Sequence, residues 1–149
     1  MTSPPSPADA GQSADLALGL HGVRLTIGKE FTFEASHRLH RLPDGHKCAR
    51  PHGHSYQVTV ELAADELTGP GFVTDFGDLS PFGTYLDEHF DHRDLNDVLD
   101  VEPTSELLAL HLARWFLDNV QPIIAGRLVA VTVSETRKTW ARCTIGDTR

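Results

Sequence analysis

The sequence predicts an α+β fold in which an antiparallel sheet has two helices packed on one of its faces. Three observations lead to this prediction. Two segments in the first half of the chain alternate apolar and polar residues with the period of two that strands have. Two later segments repeat apolar residues at helical spacing, and strand-like segments follow them. Strands, then helices, then strands again are typical of helices segregated to one side of an antiparallel sheet.

The first two predicted strands are 23–37 and 52–62. The segment 38–51 between them is a loop, because it contains two prolines and an Asp-Gly pair. One face of the first strand contains Phe31, Phe33, Ala35 and His37. One face of the second contains His52, His54, Tyr56, Val58, Val60 and Leu62. After a turn, GFVTDF predicts a short third strand at 71–76.

The first predicted helix covers 78–90, with Asp78 or Ser80 as its N-cap. Its buried stripe is expected to contain Leu79, Phe82 and Leu86. The polar segment 91–103 that follows is predicted to be a loop.

The second predicted helix covers 105–120 and is capped by Thr104. Its inner side is expected to contain Leu108, Leu112, Trp115 and Phe116. The strands 127–136 and 140–145 then complete the predicted sheet.

The 149 residues suit a single domain. Residues 1–20 are rich in Pro, Ser, Ala and Asp, so we expect a disordered N-terminal tail before one domain at 21–149. The net charge of −8 argues against a general nucleic-acid-binding protein. Two cysteines are too few for a disulfide scaffold, and neither a signal peptide nor a membrane span is evident, so we expect a cytoplasmic protein.

Three histidines are placed as a metal site requires. His52 and His54 extend from one face of a strand, and His37 ends a neighbouring strand on the same face. If the two strands pair, the three imidazoles converge. Three His ligands with an open fourth position are typical of catalytic zinc. The alternative is that they are ordinary polar strand residues. The remaining histidines are expected to have surface or helix roles: His21, His40, His46, His89 and His111.

Cys48, in the loop before these histidines, has two interpretations. As a fourth ligand it would close the site and make the zinc structural. As a free thiol beside Lys47 and Arg50 it could be a thiolate base or nucleophile. From Arg38 to Arg50 the loop contains four Lys/Arg residues and one acid, which suits a small anionic ligand. The second cysteine, Cys143, lies in a strand-like segment and is expected to be a small buried apolar residue.

Two further features could contribute chemistry. Asp91 is adjacent to His92, and a carboxylate can orient an imidazole for proton transfer, although such pairs are also common on solvated loops. Glu135 ends an apolar strand face, where it is either exposed or placed to accept hydrogen bonds from a ligand.

Six motifs in order resemble those of the 6-pyruvoyl-tetrahydropterin synthase family. They are FTFEASHRL, CARPHGH, VTDFGDL, FDHRDLND, EPTSE and SETRKTWARC, which together span about 30–146. As a set they are highly specific. The short Cys-to-His spacing is most similar to the bacterial branch, the 6-carboxy-5,6,7,8-tetrahydropterin synthases of queuosine and deazapurine biosynthesis. The mammalian-type enzyme has a longer spacer there.

The resemblance implies the tunnelling fold (T-fold), assembled as a homohexamer of two trimers with active sites between subunits. It implies a Zn2+ cofactor bound by His37, His52 and His54. The implied substrate is 7,8-dihydroneopterin triphosphate, converted to 6-carboxy-5,6,7,8-tetrahydropterin with release of triphosphate and acetaldehyde.

The resemblance also implies roles for the remaining site residues. Cys48 would be the general base, with Asp91 and His92 as a proton relay that can serve a neighbouring subunit. The pterin pocket would contain Glu135, which anchors the ring, together with Thr104 and Ser105. Lys47 and Arg50 of the basic loop could assist the anionic leaving group.

Three alternatives remain open at this point. The first is a 6-pyruvoyl-tetrahydropterin synthase or a related pterin side-chain lyase. The second is a non-catalytic zinc-binding protein with one cysteine and three histidine ligands. The third is a zinc hydrolase, which needs neither Cys48 nor Glu135 and therefore explains fewer residues.

Overall fold

The computed structural model describes residues 12–13, 19 and 22–146. Its strands are β1 (Gln12–Ser13), β2 (Leu25–His37), β3 (His52–Ala64), β4 (Glu66–Leu67), β5 (Arg93–Asp94), β6 (Arg127–Thr136) and β7 (Thr139–Thr144). Its α-helices are α1 (Ser80–His89), α2 (Leu95–Val98) and α3 (Ser105–Asn119). Short 3-10 turns lie at Lys47–Ala49, Phe76–Leu79 and Gln121–Ile123.

The main sheet has the strand order β5-β2-β3-β6-β7. β2 and β3 pair antiparallel along their whole length, from Leu25 opposite Ala64 to His37 opposite His52. The β3–β6 and β6–β7 pairs are also antiparallel, whereas β5 adds two parallel pairs at the end of β2. β1 pairs with β4 in a separate ribbon.

One face of this sheet is buried under α1 and α3. Alternate β3 residues from Tyr56 to Leu62 are at most 1 % exposed, as the period of two predicts. The helices contribute Phe82, Leu86, Leu108, Leu112 and Phe116 to the same core. The Phe31 and Phe82 rings meet edge to face with their centroids 5.1 Å apart. The predicted α+β architecture, with two helices on one face, is therefore confirmed.

Residues 71–76, predicted as a strand, do not form one. Phe72 makes only an isolated bridge to Thr68, and the chain then enters a 3-10 turn that Asp75 caps by accepting the Gly77 N–H at 2.8 Å. Val73 is 3 % exposed, so its β-branched side chain serves core packing and not strand pairing.

The start of the first helix also differs from the prediction. Its N-cap is Leu79, which makes no side-chain hydrogen bond, and neither Asp78 nor Ser80 caps it. The preceding 3-10 turn continues directly into the helix, and the Ser80 N–H bonds to the Gly77 carbonyl of that turn. The predicted buried stripe of Leu79, Phe82 and Leu86 is confirmed.

The second helix begins where the sequence predicts. Thr104 is its N-cap and accepts the Leu107 N–H at 3.1 Å. The segment 91–103 before it is more ordered than predicted, because it contains β5 and the single-turn helix α2. Asp94 caps α2 by accepting the Asn96 N–H at 2.9 Å.

Most of the predicted tail, 1–20, lies outside the described residues, as do His21 and residues 147–149. The part that is described includes Gln12–Ser13, which pairs with Glu66–Leu67. Among the described residues, no helix is long and apolar enough to span a bilayer.

Candidate metal centre and active site

Three histidines meet at one end of the β2–β3 pair. His37 is the last residue of β2 and lies opposite His52, the first residue of β3. His54 follows on the same face, opposite Ala35. The Nε2 atom of His37 is 2.9 Å from that of His52 and 3.1 Å from that of His54. His37 is only 1 % exposed, so the cluster lies partly within the core.

The outer ring nitrogens fix the tautomers of two of these histidines. His37 Nδ1 donates to the Pro103 carbonyl at 2.8 Å, and His52 Nδ1 donates to the Arg50 carbonyl at 2.6 Å. A carbonyl only accepts, so each Nδ1 has the proton, and the neutral form of each ring presents an Nε2 lone pair to the other histidines. Lone pairs at these separations repel unless a cation lies between them.

This donor set fits zinc. Three neutral imidazole nitrogens converge, and two of the rings are held from behind by carbonyls, as in many zinc sites. Burial lowers the pKa of His54, and the carboxylate of Glu135, whose Oε2 is 3.7 Å from His54 Nε2, offsets part of that shift. A lowered pKa favours the neutral imidazole, which is the form that binds metal.

Tyr56 extends the cluster into the core. Its hydroxyl oxygen lies 3.2 Å from His37 Nδ1, and its side chain is 1 % exposed. Burial raises the pKa of Tyr56, and Glu135 raises it further, so the hydroxyl stays protonated. Tyr56 is therefore a second neighbour for the outer nitrogen of His37.

Cys48 lies in the 3-10 turn Lys47–Ala49 and is half-buried. Its carbonyl accepts the Leu39 N–H at 2.9 Å, and its N–H donates to His46 Nδ1 at 3.1 Å. Within the described ranges, the ligand atoms that lie within 4.8 Å of one another belong to His37, His52 and His54. Cys48 is not in that group, so the geometry gives no support to a fourth ligand here.

Asp91 and His92 form a bonded pair beside β5. Asp91 Oδ2 accepts from His92 Nδ1 at 2.9 Å, and Asp91 Oδ1 accepts the Glu34 N–H at 2.9 Å. The Glu34 N–H and then the His92 ring hold the pKa of Asp91 below its usual value. The His92 side chain is 80 % exposed, and its backbone has a φ of +57° while its N–H donates to the Glu34 carbonyl at 2.6 Å.

A pocket of about 470 Å³ joins parts of these two groups. It opens between β2, β3 and β5, and both His54 and His92 line it, together with Glu34 and Ser55. One histidine of the three-histidine cluster and the histidine paired with Asp91 therefore border one space.

The predicted pterin-pocket residues lie at two places around the cluster. Glu135 is at an irregularity of the β6–β7 register between Ser134 and Thr136, where a bulge re-aims a side chain. Thr104 and Ser105 begin α3, directly after the Pro103 carbonyl that accepts from His37.

A sequence model of the family described as 6-pyruvoyl tetrahydropterin synthase matches residues 26–145. The chain belongs to this family. The resemblance that the motifs indicate is thereby confirmed, and the family is one of enzymes.

A 6-carboxy-5,6,7,8-tetrahydropterin synthase from Synechocystis sp. is 39 % identical over 122 residues, covering 78 % of this chain and 90 % of that protein. A human 6-pyruvoyl tetrahydrobiopterin synthase is 33 % identical over 129 residues, covering 74 % and 84 %. The solved structure of a Caenorhabditis elegans 6-pyruvoyl tetrahydropterin synthase superposes with a TM-score of 0.70 at 26 % identity, covering 83 % of this chain and 97 % of that one. Both branches of the family are thus similar to this chain.

Several residues around the metal cluster were not identified as site residues from the sequence. Tyr56 looked like one more residue of an apolar strand face. The Pro103 carbonyl is a backbone group, and its role depends on how the segment before α3 meets the end of β2. His40 and Glu102 are 62 positions apart, so their pairing has no local signal.

Proposed function

We propose that this protein is a zinc-dependent 6-carboxy-5,6,7,8-tetrahydropterin synthase that acts on 7,8-dihydroneopterin triphosphate and water and releases triphosphate and acetaldehyde. The observation that carries the proposal is the convergence of three histidine Nε2 atoms. It occurs in a chain that the family model matches over residues 26–145. The similarity to a relative of that name supports the choice of branch.

In this proposal His37, His52 and His54 hold the metal through Nε2 and leave further positions for the substrate. Bound zinc supplies a Lewis acid that polarises the side-chain oxygens of the substrate and acidifies the neighbouring C–H and O–H groups. The carbonyls behind His37 and His52 keep both rings in the ligating tautomer.

Cys48 is the proposed general base. Its Sγ would take a proton from the substrate side chain as a thiolate. The 3-10 turn that contains Cys48 ends three residues before His52, so the thiol and the ligand are on one short connection. Lys47 and Arg50 lie within two positions of Cys48 in the sequence, and their positive charge suits the anionic leaving group.

Asp91 and His92 are the proposed proton relay. The bond from Nδ1 to Asp91 leaves His92 Nε2 to exchange a proton with the substrate. Because the ring is 80 % exposed, it can reach into a site on a neighbouring subunit.

Glu135 is the proposed pterin anchor, with Thr104 and Ser105 lining the same pocket. A carboxylate accepts from the two adjacent N–H groups that the amino-pyrimidine edge presents. The Glu135 carboxylate lies 3.7 Å from His54 Nε2, so a ring held there would direct its side chain toward the metal.

We also propose a homohexamer of two trimers, working in the cytoplasm. Two features of the described sheet support an assembly. β7 is an edge strand, and β2 has a neighbour on its outer side only at Ala35 and Ser36. Two different open edges can pair head to tail between subunits, and such contacts close into rings. The half-buried free thiols of Cys48 and Cys143 suit a reducing compartment.

The identity of the reaction product tests this proposal. Purified zinc-loaded protein is incubated with 7,8-dihydroneopterin triphosphate, and the products are identified by mass. We expect carboxytetrahydropterin together with acetaldehyde. Pyruvoyl-tetrahydropterin as the product would place the chain in the other branch, and an unchanged substrate would contradict the enzyme assignment.

A further inference from the structure

The end of β2 is tied at several points to the segment before α3. Glu102 Oε2 accepts the His40 backbone N–H at 3.0 Å, and Glu102 Oε1 accepts from His40 Nδ1 at 2.9 Å. The next residue, Pro103, has the carbonyl that accepts from His37 Nδ1 at 2.8 Å. Glu102 and Pro103 therefore hold His37, the proposed ligand, and also His40, three residues further along the chain.

The His40–Glu102 bond is part of a larger hydrogen-bond network. His40 Nε2 accepts from Arg38 Nε at 3.3 Å, so a neutral His40 with its proton on Nδ1 satisfies both neighbours. The Arg38 backbone is itself fixed by Asn96, which accepts its N–H and donates to its carbonyl, both at 2.9 Å. The His40 side chain is 49 % exposed and the Glu102 side chain 28 %, so the pair lies at the surface and its contribution depends on geometry more than on charge.

The orientation of His37 depends on which acceptor its Nδ1 proton uses. The Pro103 carbonyl is at 2.8 Å and the Tyr56 hydroxyl is at 3.2 Å. If the segment 102–103 moved away, the Tyr56 hydroxyl would remain as a competing partner. The ring would then turn, or its proton would move to Nε2, and the lone pair would no longer point at the other two histidines.

We propose that Glu102 is a positioning residue for His37. Its two hydrogen bonds to His40 hold the Pro103 carbonyl at the place where that carbonyl fixes the ligating tautomer of the His37 ring. The inference rests on the proposed zinc site. Glu102 is not proposed to contact metal or substrate, and it acts on His37 through the Pro103 carbonyl. Loss of such an outer partner lowers metal affinity about 10- to 100-fold in other zinc sites.

The first test is the zinc dissociation constant, measured by competition with a chromophoric chelator. In Glu102→Gln the amide NH2 group faces one of the two His40 donors, so one of the two hydrogen bonds is lost. The matched control is Asp118→Asn, which removes a carboxylate that pairs with Arg114 at 3.1 Å on the exposed side of α3. We expect zinc binding to weaken about 10-fold in Glu102→Gln and to stay at the wild-type value in Asp118→Asn.

The second test measures the tautomer of the His37 ring directly. In zinc-free protein, the 15N shifts of the imidazole should show Nδ1–H in the wild type and a mixture of tautomers in Glu102→Gln. A purely structural role would lower the unfolding midpoint without moving these shifts. His40→Ala removes the bond from Nδ1 and leaves the bond from the backbone N–H, so zinc binding should also weaken in this variant. In the double variant the loss should be smaller than the sum of the two single losses.

Wild-type zinc affinity in Glu102→Gln, an unaltered affinity in His40→Ala, or unchanged His37 shifts would each overturn the inference. Failure of the wild type to bind zinc would instead refute the metal centre. The nitrogen shifts of the zinc-free protein would even then decide whether Glu102 holds His37.

Discussion

At the scale of single residues, Cys48 is the proposed general base and not a proposed ligand, so a variant at this position tests catalysis and metal binding separately. General bases contribute about 10²- to 10⁴-fold to a rate, so Cys48→Ala should lower kcat at least about 100-fold. Its zinc content should not change, because the thiol is outside the group of converging ligand atoms. Turnover followed by product mass, with metal analysis of the same sample, checks both statements.

The matched control is Cys143→Ala. Cys143 is a half-buried residue of β7 that packs against the core, and it should keep full turnover. Zinc lost together with activity in Cys48→Ala would return the thiol to the ligand set and favour the non-catalytic zinc protein.

Asp91 gives the protein a component of stability that depends on pH. Its pKa in the folded protein is lowered, first by the Glu34 N–H and then by His92. A depressed pKa adds stability that is complete above the unfolded value, about 3.9, and is lost as the pH falls through the folded value below it. Urea unfolding between pH 6 and pH 2.5 should show this loss in the wild type.

In Asp91→Asn this part of the loss of unfolding free energy at acid pH should be absent. Asp118→Asn removes an exposed carboxylate of α3 and serves as the charge-matched control, which should keep the slope. Identical acid-side slopes in wild type and Asp91→Asn would mean that the Glu34 and His92 bonds do not persist in solution.

At the scale of elements, α3 covers the sheet through a stripe of buried residues. Leu112 is 0 % exposed, and removing such a side chain leaves a cavity, so Leu112→Ala should lower the free energy of unfolding by about 2–5 kcal/mol. Leu110 lies on the same helix but is 56 % exposed, and Leu110→Ala should change the free energy of unfolding by less than about 0.5 kcal/mol. Denaturant titrations of both variants measure the contrast, and equal losses would contradict the assignment of the buried face.

The convergence of the three histidines was predictable because it depends on one strand period and one pairing. A period of two places His52 and His54 on one face, and a register that puts His37 opposite His52 completes the group. Partners that hold the rings were not predictable. The Pro103 carbonyl reaches His37, and Glu102 reaches His40, only through tertiary packing, which leaves no periodic signal in the sequence.

Two of the errors of element prediction have a common cause. Residues 71–76 have strand-like composition, yet Val73 is used for packing and Asp75 for capping a turn. The same turn continues into α1 and makes Leu79 its N-cap, which no capping preference indicates. Local propensity was overridden where one turn serves both the core and the next helix.

At the scale of the whole molecule, the proposed active site needs two subunits. Cys48→Ala and His92→Asn should each be inactive as pure oligomers, and Asn tolerates the left-handed backbone of position 92. If a site takes its thiol from one subunit and its imidazole from the next, random mixing of equal amounts restores about one quarter of the sites. The assay is turnover after the two proteins are unfolded, mixed and refolded together.

Each pure variant, refolded in the same way, is the control for recovery. A mixture that stays as inactive as its components would place Cys48 and the His92 that serves it in one chain. The His92 that lines the same pocket as His54 would then serve the site of its own chain.

The positive φ of His92 sets two selective pressures against each other at one position. Glycine would adopt a φ of +57° freely, whereas a side chain in that conformation costs roughly 1–2 kcal/mol. In the proposed relay, the imidazole at this position exchanges a proton, which glycine cannot do. A library randomised at position 92 and sorted for heat resistance should therefore enrich glycine, and the same library sorted for turnover should return histidine. Such a divergence marks a site where evolution has kept a less stable backbone for the sake of chemistry.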